Sequence, residues 1–429
     1  MKLETFKTII LTILVGISLL LTFSLWNYQP NYDPLYPTSS NYVNEVDAGG
    51  IEETKRSIIE PINIVFHYDG ETYGFEKRGE LQFLYKHIQE WMLNSYELTS
   101  SDSIPTNSNQ VEVIFPNPMP MEMIKSLFTL KDNDSLPTWS FQRILITFNE
   151  SYSSLNVYFL SIDGREQVKY VVNNATVYTH IASIAQNQQG LVEYSELELN
   201  DSSIYIPKNE VDMRSRSLAV ETISPTLFVD ALFTNPSLVS PNVGEAYFTD
   251  GQRGMDIMQN GLFMQFINPI HSNTREKDPI DLIEKSLLKI NEHKGWTDEY
   301  RLENIDLNQN AIRYQLHYEG YPVYNSSGLA MIEQQWRNQE LHKYSRPLFN
   351  LNNVLGGRMV TLQSGQEVID YIVEESDYDL SQIKDIRAGY KLEHIEGASY
   401  SVIVEPAWLI NYRGVWRELK MNDFNEGGE

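Results

Sequence analysis

The chemistry open to this 429-residue chain is set by 8 histidines, 58 carboxylates and no cysteine. His67, His87, His180, His271, His293, His317, His342 and His394 form no His-Glu-x-x-His and no pair spaced to share one helical face, so a zinc site has no local support. Scattered histidines of this kind are more simply packed or surface residues. No Gly-x-Ser-x-Gly elbow and no glycine-rich phosphate loop occurs, which leaves serine nucleophiles and nucleotides without their usual cradle. Lys131-Asp132-Asn133-Asp134-Ser135 opens like a calcium loop but lacks the glycine and the closing glutamate, and reads as a solvated turn. Without cysteine, thiol nucleophiles, thiolate metal sites, iron–sulfur ligation and disulfides fall together. Acidic pairs suited to glycoside hydrolysis are available anywhere in so acidic a chain, but the sequence singles out none. The expectation is a protein that is not an enzyme and takes no cofactor and no metal.

Charge narrows the partners. A formal net charge of −25 repels phosphate backbones, so no nucleic acid is expected as a partner. A hydrophobic fraction of 41% with 21% charged residues is that of a folded protein, with room for two or three domains.

Whatever the folded part does, one stretch positions it. Residues 8–26, TIILTILVGISLLLTFSLW, carry no charge and as a helix span about 28 Å, close to the hydrocarbon thickness of a bilayer. Lys2 and Lys7 precede the stretch and no basic residue follows until Lys55, which puts the N-terminus in the cytoplasm and the bulk of the chain outside. The run closes on bulky residues rather than a small-residue cleavage site, so it reads as a retained single-pass anchor of the cell membrane. Trp26 and Tyr28 suit the headgroup layer as interface anchors. Thr8, Thr12 and Gly16 form a small-residue stripe that lets a second membrane helix approach closely, although such residues are also common in membrane helices.

Residues 1–28 are thus the cytoplasmic end and transmembrane helix, and 29–55, rich in Asn, Pro, Tyr and Gly, a stalk. An N-terminal α+β unit is expected over 56–214. Its strands fall at 62–66, 111–115, 143–148, 154–160 and 167–172, and its helices at 80–96 and 121–130. The C-terminal region, 215–429, carries helices at 226–233, 281–293 and 365–374. Strands are expected at 246–248, 254–258, 262–267, 300–305, 311–318, 329–336, 383–388, 399–404, 407–412 and 415–419, with Asn260-Gly261 a tight hairpin turn. A helix followed by strands recurs, which predicts two similar α+β modules dividing near 350. The fold class is α+β: one transmembrane helix, then a multidomain extracytoplasmic region of mixed helices and antiparallel sheets.

Four stretches carry a resemblance. They are Leu25-Trp26-Asn27-Tyr28-Gln29-Pro30-Asn31-Tyr32-Asp33, Leu232-Phe233-Thr234-Asn235-Pro236-Ser237-Leu238-Val239, Tyr247-Phe248-Thr249-Asp250-Gly251-Gln252-Arg253-Gly254-Met255 and Val404-Glu405-Pro406-Ala407-Trp408. In this order they resemble the YycH (WalH) family of low-GC Gram-positive bacteria; residues 95–140 carry no such stretch. The resemblance implies a membrane-anchored accessory protein of the sensor histidine kinase WalK (YycG), in a two-component system that governs cell-wall homeostasis. It also implies a second single-pass partner, YycI, similar in external fold to the C-terminal part of this chain. It would place kinase contacts on the membrane helix, at Thr8, Thr12 and Gly16, and YycI on the external domains. A rival reading from another class is an extracytoplasmic sensor that binds a cell-wall fragment or peptide in an aromatic-lined pocket. The 26 tyrosines and 7 tryptophans supply the rings, though Trp408 and Trp416 on predicted strands more simply fill cores.

Overall fold

β-Branched and aromatic residues at alternating positions commit most of this chain to two large sheets. The computed structural model describes residues 46–100, 109–132, 134–199, 202–242, 246–270, 278–375, 377–394 and 401–421. The anchor stretch 8–26, with Thr8, Thr12, Gly16 and Trp26, and Tyr28 beyond it, lie outside the described residues. Among the described residues no helix is long and apolar enough to cross a membrane.

The N-terminal lobe opens with α1 (Lys55–Ile58), β1 (Asn63–Tyr68), β2 (Glu71–Phe75), α2 (Arg78–Gln89), β3 (Met92–Ser100) and β4 (Gln110–Pro120). It continues through α3 (Ile124–Leu127), β5 (Thr129–Leu130), β6 (Ser140–Asn149), β7 (Ser154–Ser161) and β8 (Glu166–Val172). It closes with α4 (Ala175–Asn187), β9 (Leu191–Glu198) and β10 (Ser203–Pro207). The ten strands make one sheet in the order β10-β9-β2-β1-β4-β6-β7-β8-β3-β5. Its core is a run of edge-to-face rings, Tyr85 on Phe115, Phe115 on Phe141, Phe141 on Phe159 and Phe159 on Phe128. Each such pair contributes about 1 kcal/mol beyond the area it buries.

The C-terminal lobe contains β11 (Val211–Thr222), α5 (Pro225–Leu232), β12 (Ser240–Asn242), β13 (Tyr247–Thr249), β14 (Gly254–Met258) and β15 (Phe263–Ile267). Next come α6 (Pro279–Asn291), β16 (Tyr300–Asp306), β17 (Ala311–Tyr318), β18 (Tyr321–Tyr324), β19 (Met331–Arg337) and β20 (Glu340–Pro347). The last elements are β21 (Phe349–Leu362), α7 (Gly365–Asp370), β22 (Ile383–His394), β23 (Ser401–Tyr412) and β24 (Val415–Glu418). Fourteen strands join in one hydrogen-bonded sheet, β12-β13-β14-β15-β20-β19-β17-β18-β22-β23-β11-β21, with β16 beside β17 and β24 beside β23. Its two halves meet at the parallel pair β18–β22, held over only Val323–Tyr390 and Tyr324–Lys391.

Several expectations are corrected. The helix expected over 80–96 ends at Gln89: Trp91 turns into the core, and β3 is drawn into pairing with β8. The helix expected over 121–130 is broken into a 3-10 turn, a four-residue helix and the short β5. The boundary near 214 falls inside β11, and the half of the C-terminal sheet that follows 350 is completed by β11, which pairs with both β21 and β23. The stalk does not extend to 55. Val46 and Ala48 are buried, and Ile51 bridges Trp296.

Two of the stretches that carried the family resemblance, 232–239 and 247–255, meet in space. The Arg253 guanidinium donates to the Thr234 hydroxyl, tying the 247–255 hairpin to the end of α5. Glu405 in β23 accepts from Ser215 of β11 at 2.5 Å and from Arg358 of β21 at 2.6 Å, so one carboxylate knits three neighbouring strands.

Candidate functional site

Polar contacts join the lobes at several places, and two of them are clusters. At the first, Glu60 and Arg301 form an ion pair at 2.8 Å with both side chains largely buried, and Gln82 bridges Glu60 (3.1 Å) and Glu299 (2.9 Å). His317 sits in the same region, and burial with Arg301, Arg387 and Arg78 nearby pushes its pKa down to about 3, so the ring is a neutral packing group. At the second, α7 docks on β9 and β10. Ser195 donates to Gln366 at 2.9 Å, and the Gln366 amide donates to the Lys208 carbonyl. Ser364 and Glu367 form a capping box that fixes the start of α7.

Both lobes line a cleft of about 1290 Å3. Its most structured wall is Arg387, which binds Asp385 at 2.5 Å and Glu303 at 3.1 Å and lies 4.7 Å from the centre of the Trp416 ring. The Trp416 indole N–H donates to Glu303 at 2.9 Å, and Asn117 of the N-terminal lobe donates to the Glu303 carbonyl. Burial opposes charge on Arg387, but Asp385 and Glu303 outweigh it and hold the guanidinium pKa above its ordinary value. Burial raises the Glu303 pKa, with Arg387 offsetting part of the effect. On the opposite wall Arg143 donates to the Ser203 carbonyl at 2.5 Å, and the Asn63 amide donates to the Tyr205 carbonyl at 3.1 Å. These donors cap carbonyls of β10, an edge strand, which blunts it against pairing.

The cleft charges are thus engaged with one another rather than set against a nucleophile. A hydroxyl, an imidazole and a carboxylate do line up elsewhere: Thr72 and Glu112 flank His67, each at 3.3 Å. They sit on adjacent strands outside the cleft. Burial works against the Glu112 carboxylate, but His67 and Arg143 outweigh it and lower its pKa. The row is a cross-strand brace. His293 is buried against Tyr344 at 3.0 Å, His342 binds the Asn268 carbonyl, and His180 is exposed. His271 and Asn133 lie outside the described residues. Among the described residues no group of three or more His, Asp and Glu is arranged to hold a metal ion.

Trp408 and Trp416 divide between the two roles weighed for them. Trp408 is a core residue whose N–H donates to the Gln363 carbonyl at 2.9 Å, whereas Trp416 lines the cleft. The lobe-joining residues Glu60, Gln82 and Arg301 carried no signal in the sequence, because each gains its meaning from a partner far along the chain.

The chain is thus a two-lobed α+β protein with a cleft between the lobes, whose wall charges pair with one another. Family models described as YycH protein, N-terminal domain, and YycH protein, C-terminal domain, match residues 4–190 and 201–426, and the chain belongs to the YycH family. It is 25% identical over 441 residues to the Two-component system WalR/WalK regulatory protein YycH of Bacillus subtilis (strain 168), covering 96% of each chain. The crystal structure of YycH from Bacillus subtilis shares its fold, with a TM-score of 0.73 at 21% identity over 87% of this chain and 98% of that one.

Proposed function

We propose that this protein is a non-enzymatic, membrane-anchored accessory protein of a two-component system, which sets the activity of the sensor histidine kinase WalK (YycG) together with YycI. The observation that carries the reading is the end-to-end relationship, over 96% of both chains, to a protein named as a WalR/WalK regulator. That relationship supports a regulatory role in a two-component system, in a family that is not one of enzymes. In this reading residues 8–26 cross the membrane once with the N-terminus in the cytoplasm, and Thr8, Thr12 and Gly16 face the kinase helices while Trp26 and Tyr28 anchor the outer interface. A kinase whose membrane bundle has active and inactive packings is biased by an extra helix that fits one of them better.

The test replaces residues 8–26 by an unrelated apolar helix, with the rest of the chain and its surface level unchanged, and reads phosphorylated response regulator in cells. Output equal to that of a deletion strain supports control through the helix; output at the wild-type level removes it. The cleft favours a second reading, in which the external part also senses a cell-wall fragment or peptide. Its volume of about 1290 Å3 exceeds the upper end of ordinary small-ligand sites, about 1,000 Å3, and Tyr205, Tyr324 and Trp416 line it.

A further inference from the structure

The described chain begins not in the N-terminal lobe, to which it next contributes, but against the C-terminal one. Ala48 N–H donates to the His293 carbonyl at 2.9 Å, Gly50 N–H to Lys294 at 3.1 Å and Ile51 N–H to Trp296 at 3.1 Å. Asp47 pairs with Lys294 at 2.8 Å, and the Asn291 side chain clasps the Glu53 backbone through both its N–H (3.0 Å) and its C=O (2.9 Å). The opposite side of the same 291–296 turn is held from within. Arg346, fully buried, donates to the Gly295 carbonyl at 2.7 Å and to Thr297 at 3.1 Å. One residue on, Asp298 accepts the Leu351 N–H at 3.0 Å at the start of the edge strand β21.

We propose that residues 46–53 are a releasable strap, through which the chain preceding Val46 controls the conformation of the C-terminal lobe. The proposal rests on the regulatory reading above and adds the route by which the two ends of the protein communicate. Release is feasible because Val46 and Ala48 are the only buried side chains among residues 46–53, and Ile51 is left 59% exposed. Hydrogen bonds and a half-exposed ion pair supply the rest, and each contributes modestly against water. Consequence follows from the turn, whose carbonyls are shared between the strap outside and Arg346 inside. Freeing one side loosens the register of the other, and with it the Asp298–Leu351 contact. Gly50 is the closest point of approach, since a Cβ there would stand 2.3 Å from the Trp296 carbonyl oxygen and 2.6 Å from that of Lys294.

The experiment uses the full-length protein in membranes and compares wild type with Gly50→Val, which the two carbonyls exclude from the docked position, and with the milder Asp47→Lys. Hydrogen exchange of the peptides covering 46–53, 293–298 and 349–353 is measured beside phosphorylated response regulator in cells. The expected result is exchange at least tenfold faster in all three peptides, with output moved toward that of the deletion strain. The swap Asp47→Lys/Lys294→Glu should bring both measures back toward wild type. Faster exchange confined to 46–53, with the turn, β21 and output unchanged, overturns the proposal, and so does an unaltered strap in both variants. If deletion of the whole chain leaves output unchanged, the kinase reading fails instead, and the exchange data still decide the strap.

Discussion

Arg301 and Glu60 meet at 2.8 Å across the junction of the two lobes, each with most of its side chain out of water. Arg301 also binds Glu299 at 2.8 Å, so one guanidinium answers two carboxylates that Gln82 draws together. Arg301→Ala leaves both carboxylates uncompensated in a poorly solvated place, and a loss of about 3 kcal/mol of unfolding free energy is expected. Glu60→Met/Arg301→Met should lose less than Arg301→Ala, because an apolar pair carries no desolvation cost. Chemical denaturation measures both, and a loss in the double variant at least as large as that in Arg301→Ala would overturn the expectation.

Gly365 makes the second junction possible. A Cβ at this position would lie 2.1 Å from the Pro207 carbonyl oxygen and 2.9 Å from Ile206, both on β10 or its end. Gly365→Val therefore pushes α7 off the N-terminal lobe, at a cost on the order of 2 kcal/mol. Small-angle scattering should report a larger radius of gyration as this side of the lobe contact opens. An unchanged radius with an unchanged melting point would mean that the backbone there yields freely.

Where the sequence was informative, a local signal agreed with tertiary pairing. Asn260-Gly261 predicted a hairpin, and β14 and β15 are joined there with Asn260 at φ 57° and Gly261 at φ 89°, the left-handed region such turns demand. Of Leu81, Leu84, Tyr85, Ile88 and Met92, read at helical spacing, the first four form the buried face of α2, while Met92 lies exposed at the start of β3. Ala175–Asn187 went unread although Asn174 caps it through the amides of Thr176 and Val177, a helix-start signal present in the sequence. β21 was not legible at all. Its Asn352, Asn353, Gly356 and Gly357 look like a loop, and pairing with β11 makes them a strand, where Gly357 is required because a Cβ would stand 2.2 Å from the Ser215 carbonyl oxygen. Contacts such as Glu60 with Arg301 leave no periodic trace, so the lobe junctions and the cleft emerged only with the fold.

Two buried groups near the 291–296 turn give stability opposite dependences on pH. Burial pushes the Asp298 carboxyl up to about 7, with one oxygen shut away from any hydrogen-bond partner, and burial together with Arg346 and Lys289 holds His293 well below the ordinary histidine value. The folded state thus prefers protonated Asp298. The stability it contributes is present below about pH 4 and is lost as pH rises through 7. His293 is neutral when folded, so its contribution is lost as pH falls below about 6.5, where the unfolded chain takes up the proton. Asp298→Asn should therefore stabilise the protein at pH 8, by an amount on the order of a few kcal/mol, and change little at pH 4. Denaturation midpoints across that range measure it, and a pH-independent difference between the two proteins would refute the assignment.

The functional proposal is sharpest at Thr12 and Gly16. If the small-residue stripe packs against kinase helices, Gly16→Ile interposes a branched side chain where backbones must approach, while Leu14→Ile, off the stripe, keeps the side-chain volume and serves as the control. A helix contact of this kind couples to the kinase by about 1 to 3 kcal/mol, so Gly16→Ile should move phosphorylated response regulator several-fold toward the level of the deletion strain. Thr12→Ile should act in the same direction and less strongly, since threonine is already branched. Quantification of the phosphorylated regulator at matched surface expression decides the matter. Equal outputs for Gly16→Ile, Leu14→Ile and wild type would reduce residues 8–26 to a tether and leave regulation to the two folded lobes.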